Sequence, residues 1–175
     1  VKRVNIVRDD DSFKRNLNAY LIAEDANGYL TSANSVVKKN IKTWLSRNKM
    51  INDTIDLLDA KVINIGIDFE AIGDINRNSL DIYVDALERL REHFSTHPNI
   101  GEPFFITDIY AKLKEVEGLL DVSSVRVYQK IGSNYSSIRF DLEEAISADG
   151  RYIEMPKNVI YEVKFLKTDI KGIIK

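Results

Sequence analysis

Asp108–Tyr128, DIYAKLKEVEGLLDVSSVRVY, decides the fold: a short amphipathic helix, a glycine stop and a strand, with no reactive group among them. Ile109, Tyr110, Leu113 and Val116 recur at spacings of three and four residues, and Thr107 stands where a capping hydroxyl would accept the first free amide. Gly118 occupies the position at which a helix ends in a left-handed residue. Val125 and Val127 then alternate with Arg126 and Tyr128, the period of a strand. This is architecture, and function is to be sought in how such units assemble.

Working outward, the clearest strand comes earlier. Ile63, Ile65, Ile67, Phe69 and Ala71 alternate with Asn64, Gly66, Asp68 and Glu70, a pattern that fixes one face toward a core. A helix follows, with Leu80, Tyr83, Val84, Leu87, Leu90 and Phe94 as its stripe, Asp81 near its positive end, and a stop near Thr96 because Pro98 cannot continue it. Toward the N-terminus, Val4, Ile6 and Val7 predict a first strand broken at Arg8-Asp9-Asp10-Asp11. Asn18–Ala23 predicts a second, closed by the turn Asn27-Gly28. Thr31 or Ser32 is expected to cap a helix carrying Val37, Ile41, Trp44, Leu45 and Asn48 on one stripe, with Lys38, Lys39 and Lys42 as a solvated face. Asn48–Asp59 reads as an extended connector. Beyond Gly132 a strand is predicted at Ile138-Phe140-Leu142, a hairpin turn at Asp149-Gly150, and a last strand with Val159, Tyr161, Val163 and Phe165 facing one way.

The fold class is therefore α+β: a small mixed β-sheet with two or three amphipathic helices packed on it, as one domain or as two lobes. The lobes divide into residues 1–58, strand-strand-helix, and residues 59–175, a β-α-α-β-β assembly domain. At 175 residues a core that buries roughly two thirds of the unfolded surface is within reach. The formal net charge of -2, with both signs interspersed, argues against nucleic acid and anionic membranes as partners. Cysteine is absent, which removes disulfides, thiol chemistry and the usual zinc sites, and fits folding in a reducing compartment. No apolar run approaches the ~20 residues of a membrane span, VKRVNIVRDDD is no signal peptide, and a start at Val1 reads as a piece of something longer. The sequons at Asn52 and Asn134 are read as chance.

Chemical candidates each meet a plainer reading. His93 and His97 are four apart, but Phe-Ser-Thr lies between them without a third ligand or a glutamate, so neither metal nor cofactor is expected. The three aspartates lack the spaced oxygens and glycine of an EF-hand loop. Gly132–Ser137 lacks the Gly-Lys-Ser/Thr ending of a phosphate loop and reads as a hairpin tip. Glu143-Glu144 and Glu115/Glu117 are pairs in sequence only, and no serine sits in a nucleophile elbow, so no catalytic residue is assigned. Contact surface remains. Tyr128, Ile131, Tyr135 and Tyr152 cluster around the predicted hairpins, in the composition of interface centres, although such aromatics equally often cover their own sheet. Tyr161, Val163 and Phe165 mark a strand, and Ile170, Ile173 and Ile174 mark a short apolar tail suited to adding to a partner.

The order Asn18–Gly28, the helix ending Trp44-Leu-Ser-Arg-Asn-Lys49, the strand Val62–Phe69, the helix to Phe94, and Ile109-Tyr110 leading to Val116-Glu-Gly-Leu119 resembles baseplate wedge proteins of the J-like family from contractile-tailed phages. The likeness spans Leu17–Tyr128 and continues loosely to Phe165. It implies a structural subunit of the tail baseplate wedge, in the virion after assembly in the host cytoplasm, without enzymatic activity, which binds copies of itself as a homodimer or ring and neighbouring wedge proteins. Two other classes stay open: a small-molecule-binding regulatory α+β module, and an enzyme using scattered Asp, Glu and His side chains.

Overall fold

The computed structural model describes residues 1–9, 16–50 and 53–175, and the protein is an α+β fold whose contacts divide it into two compact units. The first holds Val1–Val62, Asn99–Glu102 and Pro156–Ile160; the second holds Ile63–Pro98, Pro103–Met155 and Tyr161–Lys175. A cut near residue 58 in sequence does not anticipate the two later segments that return to the first unit. Asp10, Asp11 and the sequon residue Asn52 lie outside the described residues.

In the first unit β2 (Asn16–Glu24) is central, antiparallel to β1 (Arg3–Arg8) and parallel to β4 (Thr54–Asp59), while β3 (Leu30–Thr31) pairs with its end. The connector expected at 48–59 thus contains a strand. Adjacent Leu57 and Leu58 break the alternation that would have marked it. Ile22, Leu30, Ala60, Ile100 and Ile160 form the core, with Tyr20 and Val62 against them. Helix α1 (Ser35–Asn48) is capped by Asn34, whose carbonyl oxygen accepts the Val36 amide at 3.0 Å. Thr31 cannot cap it, because its backbone is still paired with Ala23. The expected stripe on α1 is not a core stripe either: none of its residues is fully buried, and Trp44 is 64% exposed.

The second unit is built on β5 (Lys61–Gly73), most of which belongs to it. β7 (Leu119–Lys130) runs antiparallel along one side of β5. On the strand's other partners, β9 (Val159–Glu162) pairs with it and β10 (Ile170–Ile174) runs parallel, placing Ile170 beside Ile67 and Gly172 beside Phe69. The odd-numbered β5 residues Ile63 to Ala71 are buried as the alternation requires. Over them lie α2 (Ser79–Phe94), along β10, and α3 (Ile106–Lys114), along β7, the two helices touching. β6 (Phe104–Phe105) and β8 (Tyr152–Ile153) form a separate ribbon.

Four expectations change here. The buried face of α2 is Ile82, Ala86, Leu87 and Leu90, whereas Leu80 and Val84 face solvent. Small Ala86 carries the contact line that size alone assigned to its larger neighbours. Thr107 does not cap α3; the amides of Ile106 and Thr107 both point to the Arg151 carbonyl, at 2.9 and 3.4 Å, so a distant backbone group supplies the cap. Ile138-Phe140-Leu142 is no strand, because the Gln129 side-chain amide bonds both the Ile138 carbonyl and the Phe140 amide and stands in for a neighbouring backbone. The last strand ends at Glu162 with Ile160 and Glu162 buried as well as Val159, and the tail is β10, a strand of the chain's own sheet.

Two glycines record close approaches. Gly118, at φ 88°, closes the turn after α3, and a Cβ there would lie 2.6 Å from the Arg77 side chain. A Cβ on Gly172 would fall on the buried Phe69 ring. Gly172→Ala should therefore destabilise by about 1–3 kcal/mol in urea unfolding, the ordinary penalty for overpacking; a loss below about 0.5 kcal/mol would mean that the ring has room to move.

Candidate functional site

The face of β5 turned away from the helices carries Asn64, Gly66, Asp68 and Glu70, with Lys130, Tyr128, Arg126 and Ser124 opposite them on β7. Gly66 lets the Tyr128 ring cross β5, since a Cβ there would meet that ring at 2.7 Å. The Tyr128 hydroxyl donates to Asp68 at 3.3 Å. The loop after β7 folds over the same face: Tyr135 donates to Asp169 at 2.7 Å, Ser136 donates its amide to Asn64 at 2.7 Å, and Asn64 in turn donates to the buried Glu162 at 3.1 Å. The Lys130 ammonium sits 5.3 Å from the Tyr128 ring centre, 6.0 Å from that of Tyr135 and 3.7 Å from the Asp169 carboxylate.

These surroundings hold both phenols protonated. Burial pushes the Tyr135 hydroxyl up to about 12, aided by its bond to Asp169, and burial with the nearby Asp68 charge pushes Tyr128 up as well. Both are hydrogen-bond donors to carboxylates at neutral pH. For Tyr135 the folded pKa lies above the unfolded value near 10, so its share of stability is complete below pH ~10 and is lost as pH rises toward ~12. Urea unfolding at pH 9 and pH 11 should show a smaller fall in Tyr135→Phe than in the unaltered chain; equal falls would contradict this placement.

The expected contact residues separate into three groups. Val163 and Ile170 are buried in their own unit and present no surface, which corrects their reading as contacts. Tyr128, Tyr135, Tyr161, Phe165 and Ile174 are half-buried. Tyr135 packs edge-on against Phe165 at 5.6 Å, and Tyr161 against Phe104 at 5.0 Å, so these aromatics cover their own sheet. Ile131, Tyr152 and Ile173 remain exposed.

Phe105 and Leu120 are among the exposed apolar residues that the sequence pattern does not mark as contact surface. Phe105 lies beside Tyr152, ring centres 5.9 Å apart, on the outer side of the β6–β8 ribbon. The Phe104-Phe105 doublet was its signal, since on a strand only one neighbour can face the core. Leu120 is 65% exposed on β7. It is one of two residues, with Ser123, that the pairing with β5 skips. Such bulges turn side chains outward at sheet borders.

β7 is itself a border. Among the described residues it pairs with β5 alone, leaving its second edge without a strand. An open cleft of about 500 Å³ adjoins that edge, lined by Tyr128, Ile131, Phe140 and Leu142 together with Arg139 and Asp141. In the first unit a cleft of about 420 Å³ includes Lys38, Lys39 and Lys42, with Lys38 half-buried and Lys39 and Lys42 exposed as a solvated face would have them. Within the unit Lys38 pairs with Asp59 at 2.5 Å, and the Asn16 amide bonds both Asp9 and Asp56 at 3.2 Å. The His93 ring meets Phe94 edge-on at 4.8 Å, and among the described residues no group of three ligating side chains gathers.

No family model matches the chain, and no curated protein is similar to it.

Proposed function

We propose that this chain is a non-enzymatic assembly domain, a structural part of a phage tail baseplate wedge, which associates with copies of itself and with neighbouring wedge proteins. The observation that carries this reading is the border strand β7, twelve residues long and paired on one side only among the described residues. Unpaired backbone amides and carbonyls along such an edge are a template for another strand, and side chains then choose which strand is accepted. Exposed Leu120 and Ile131 supply apolar contact near its ends. Arg126 and Asp121 add opposite charges, which disfavour pairing with arbitrary strands. The first unit adds a second border strand, β1, with Val4 and Ile6 exposed on one face. The baseplate placement draws its support from the sequence resemblance.

Light scattering over a range of protein concentrations tests the reading. The unaltered chain should exceed its 20.0 kDa monomer mass. Because a net charge of -2 makes long-range attraction minor, the association should persist at about 1 M salt, where charges are screened beyond about 3 Å. Leu120→Lys should return it to monomer with an unchanged circular dichroism spectrum. Equal masses for the two proteins would remove β7 from the interface.

A further inference from the structure

The side chain of Asp169 has no solvent exposure, yet it is reached from several directions. The Phe165 amide donates to its Oδ2 at 3.0 Å, closing the connection between β9 and β10. The Tyr135 hydroxyl donates to its Oδ1 at 2.7 Å from the loop after β7, and Lys130 approaches the same oxygen at 3.7 Å. Its own carbonyl accepts the Ile67 amide at 2.8 Å, immediately before β10 begins its ladder on β5. Lys164 ties the same two segments together by donating to the Asn134 carbonyl at 2.6 Å.

We propose that Tyr135 and Asp169 form a latch that makes the 131–137 loop and the C-terminal strand β10 open and close as one unit. A buried carboxylate loses its hydration, so each donor taken from it leaves an unmet demand. When Tyr135 swings away with the loop, Oδ1 of Asp169 keeps only the longer approaches of the Thr168 hydroxyl at 3.4 Å and of Lys130 at 3.7 Å, and the backbone around residue 169 is held less firmly on β5. The coupling also runs backward: a β10 that lifts carries away the acceptor that holds Tyr135. The latch would operate whether or not the chain assembles, because every atom in it belongs to one unit.

Amide hydrogen exchange on the full chain reads this directly, since it reports cooperative openings below global unfolding. Tyr135→Phe keeps the ring and removes only the donor. Exchange should quicken about tenfold both in 131–137 and in 166–174, as expected for one lost charge-assisted hydrogen bond, while α3 stays unchanged. Asp169→Asn, which keeps the shape and removes the charge, should give the same paired response. Faster exchange confined to the loop, no change in either segment, or an equal rise that includes α3 would each overturn the latch.

Discussion

A chain lacking residues 169–175 should fail to form its second unit. The deletion removes β10, which pairs over five residues with β5 and on which α2 lies, together with the buried Asp169 and Ile170. Losing one buried isoleucine side chain costs about 2–5 kcal/mol. Adding the unpaired β5 backbone, the uncovered floor beneath α2 and the loss of the acceptor for Tyr135 brings the total near the 5–15 kcal/mol that holds a typical domain together. Circular dichroism should lose much of its helical signal, and urea unfolding should lose the cooperative transition of this unit. A native spectrum with an unchanged midpoint would show that β10 is dispensable. The outcome expected here is the opposite of what a detachable contact tail implies.

The second large effect falls on α2. Leu90→Ala should destabilise by about 2–5 kcal/mol, because Leu90 has no exposed surface and its loss leaves a cavity between α2 and the sheet. Leu87→Ala should fall toward the lower end, its side chain being slightly exposed. Leu80→Ala, at a position 62% exposed, should stay within about 0.5 kcal/mol. Chemical denaturation of the three variants distinguishes the observed face from a stripe that also takes in Leu80 and Val84. Similar losses at Leu80 and Leu90 would mean that the helix is turned differently on the sheet.

Much of the architecture is legible in the sequence where a long element repeats one period. Ile63 to Ala71 alternates cleanly, and Ile109 and Leu113 mark the buried face of α3, although that helix ends at Lys114 and Gly118 serves the turn beyond it. Legibility fails where a distant group sets local structure. No local pattern places the Arg151 carbonyl over the start of α3, or the Gln129 amide beside Ile138 and Phe140. It fails also at β7, where the skipped residues Leu120 and Ser123 interrupt the alternation and hide half of a twelve-residue strand. For the tail, Ile170-Lys-Gly-Ile-Ile-Lys175 shows strand character, but nothing local says whether the pairing strand belongs to the same chain. The aromatic residues followed the same rule. Tyr128 and Tyr135 sit near the predicted hairpins, and only the placement of Gly66 and Asp169 shows that they fold back onto their own sheet.

Assembly through the outer edge of β7 is tested most directly by following amide exchange in Leu119–Lys130 as protein concentration rises. Strand pairing would protect the outward-facing amides, so exchange in β7 should slow at high concentration while α2 exchanges at the same rate throughout. Exchange in β7 that does not change with concentration, in a chain whose mass nevertheless grows, would place the interface elsewhere and contradict edge pairing.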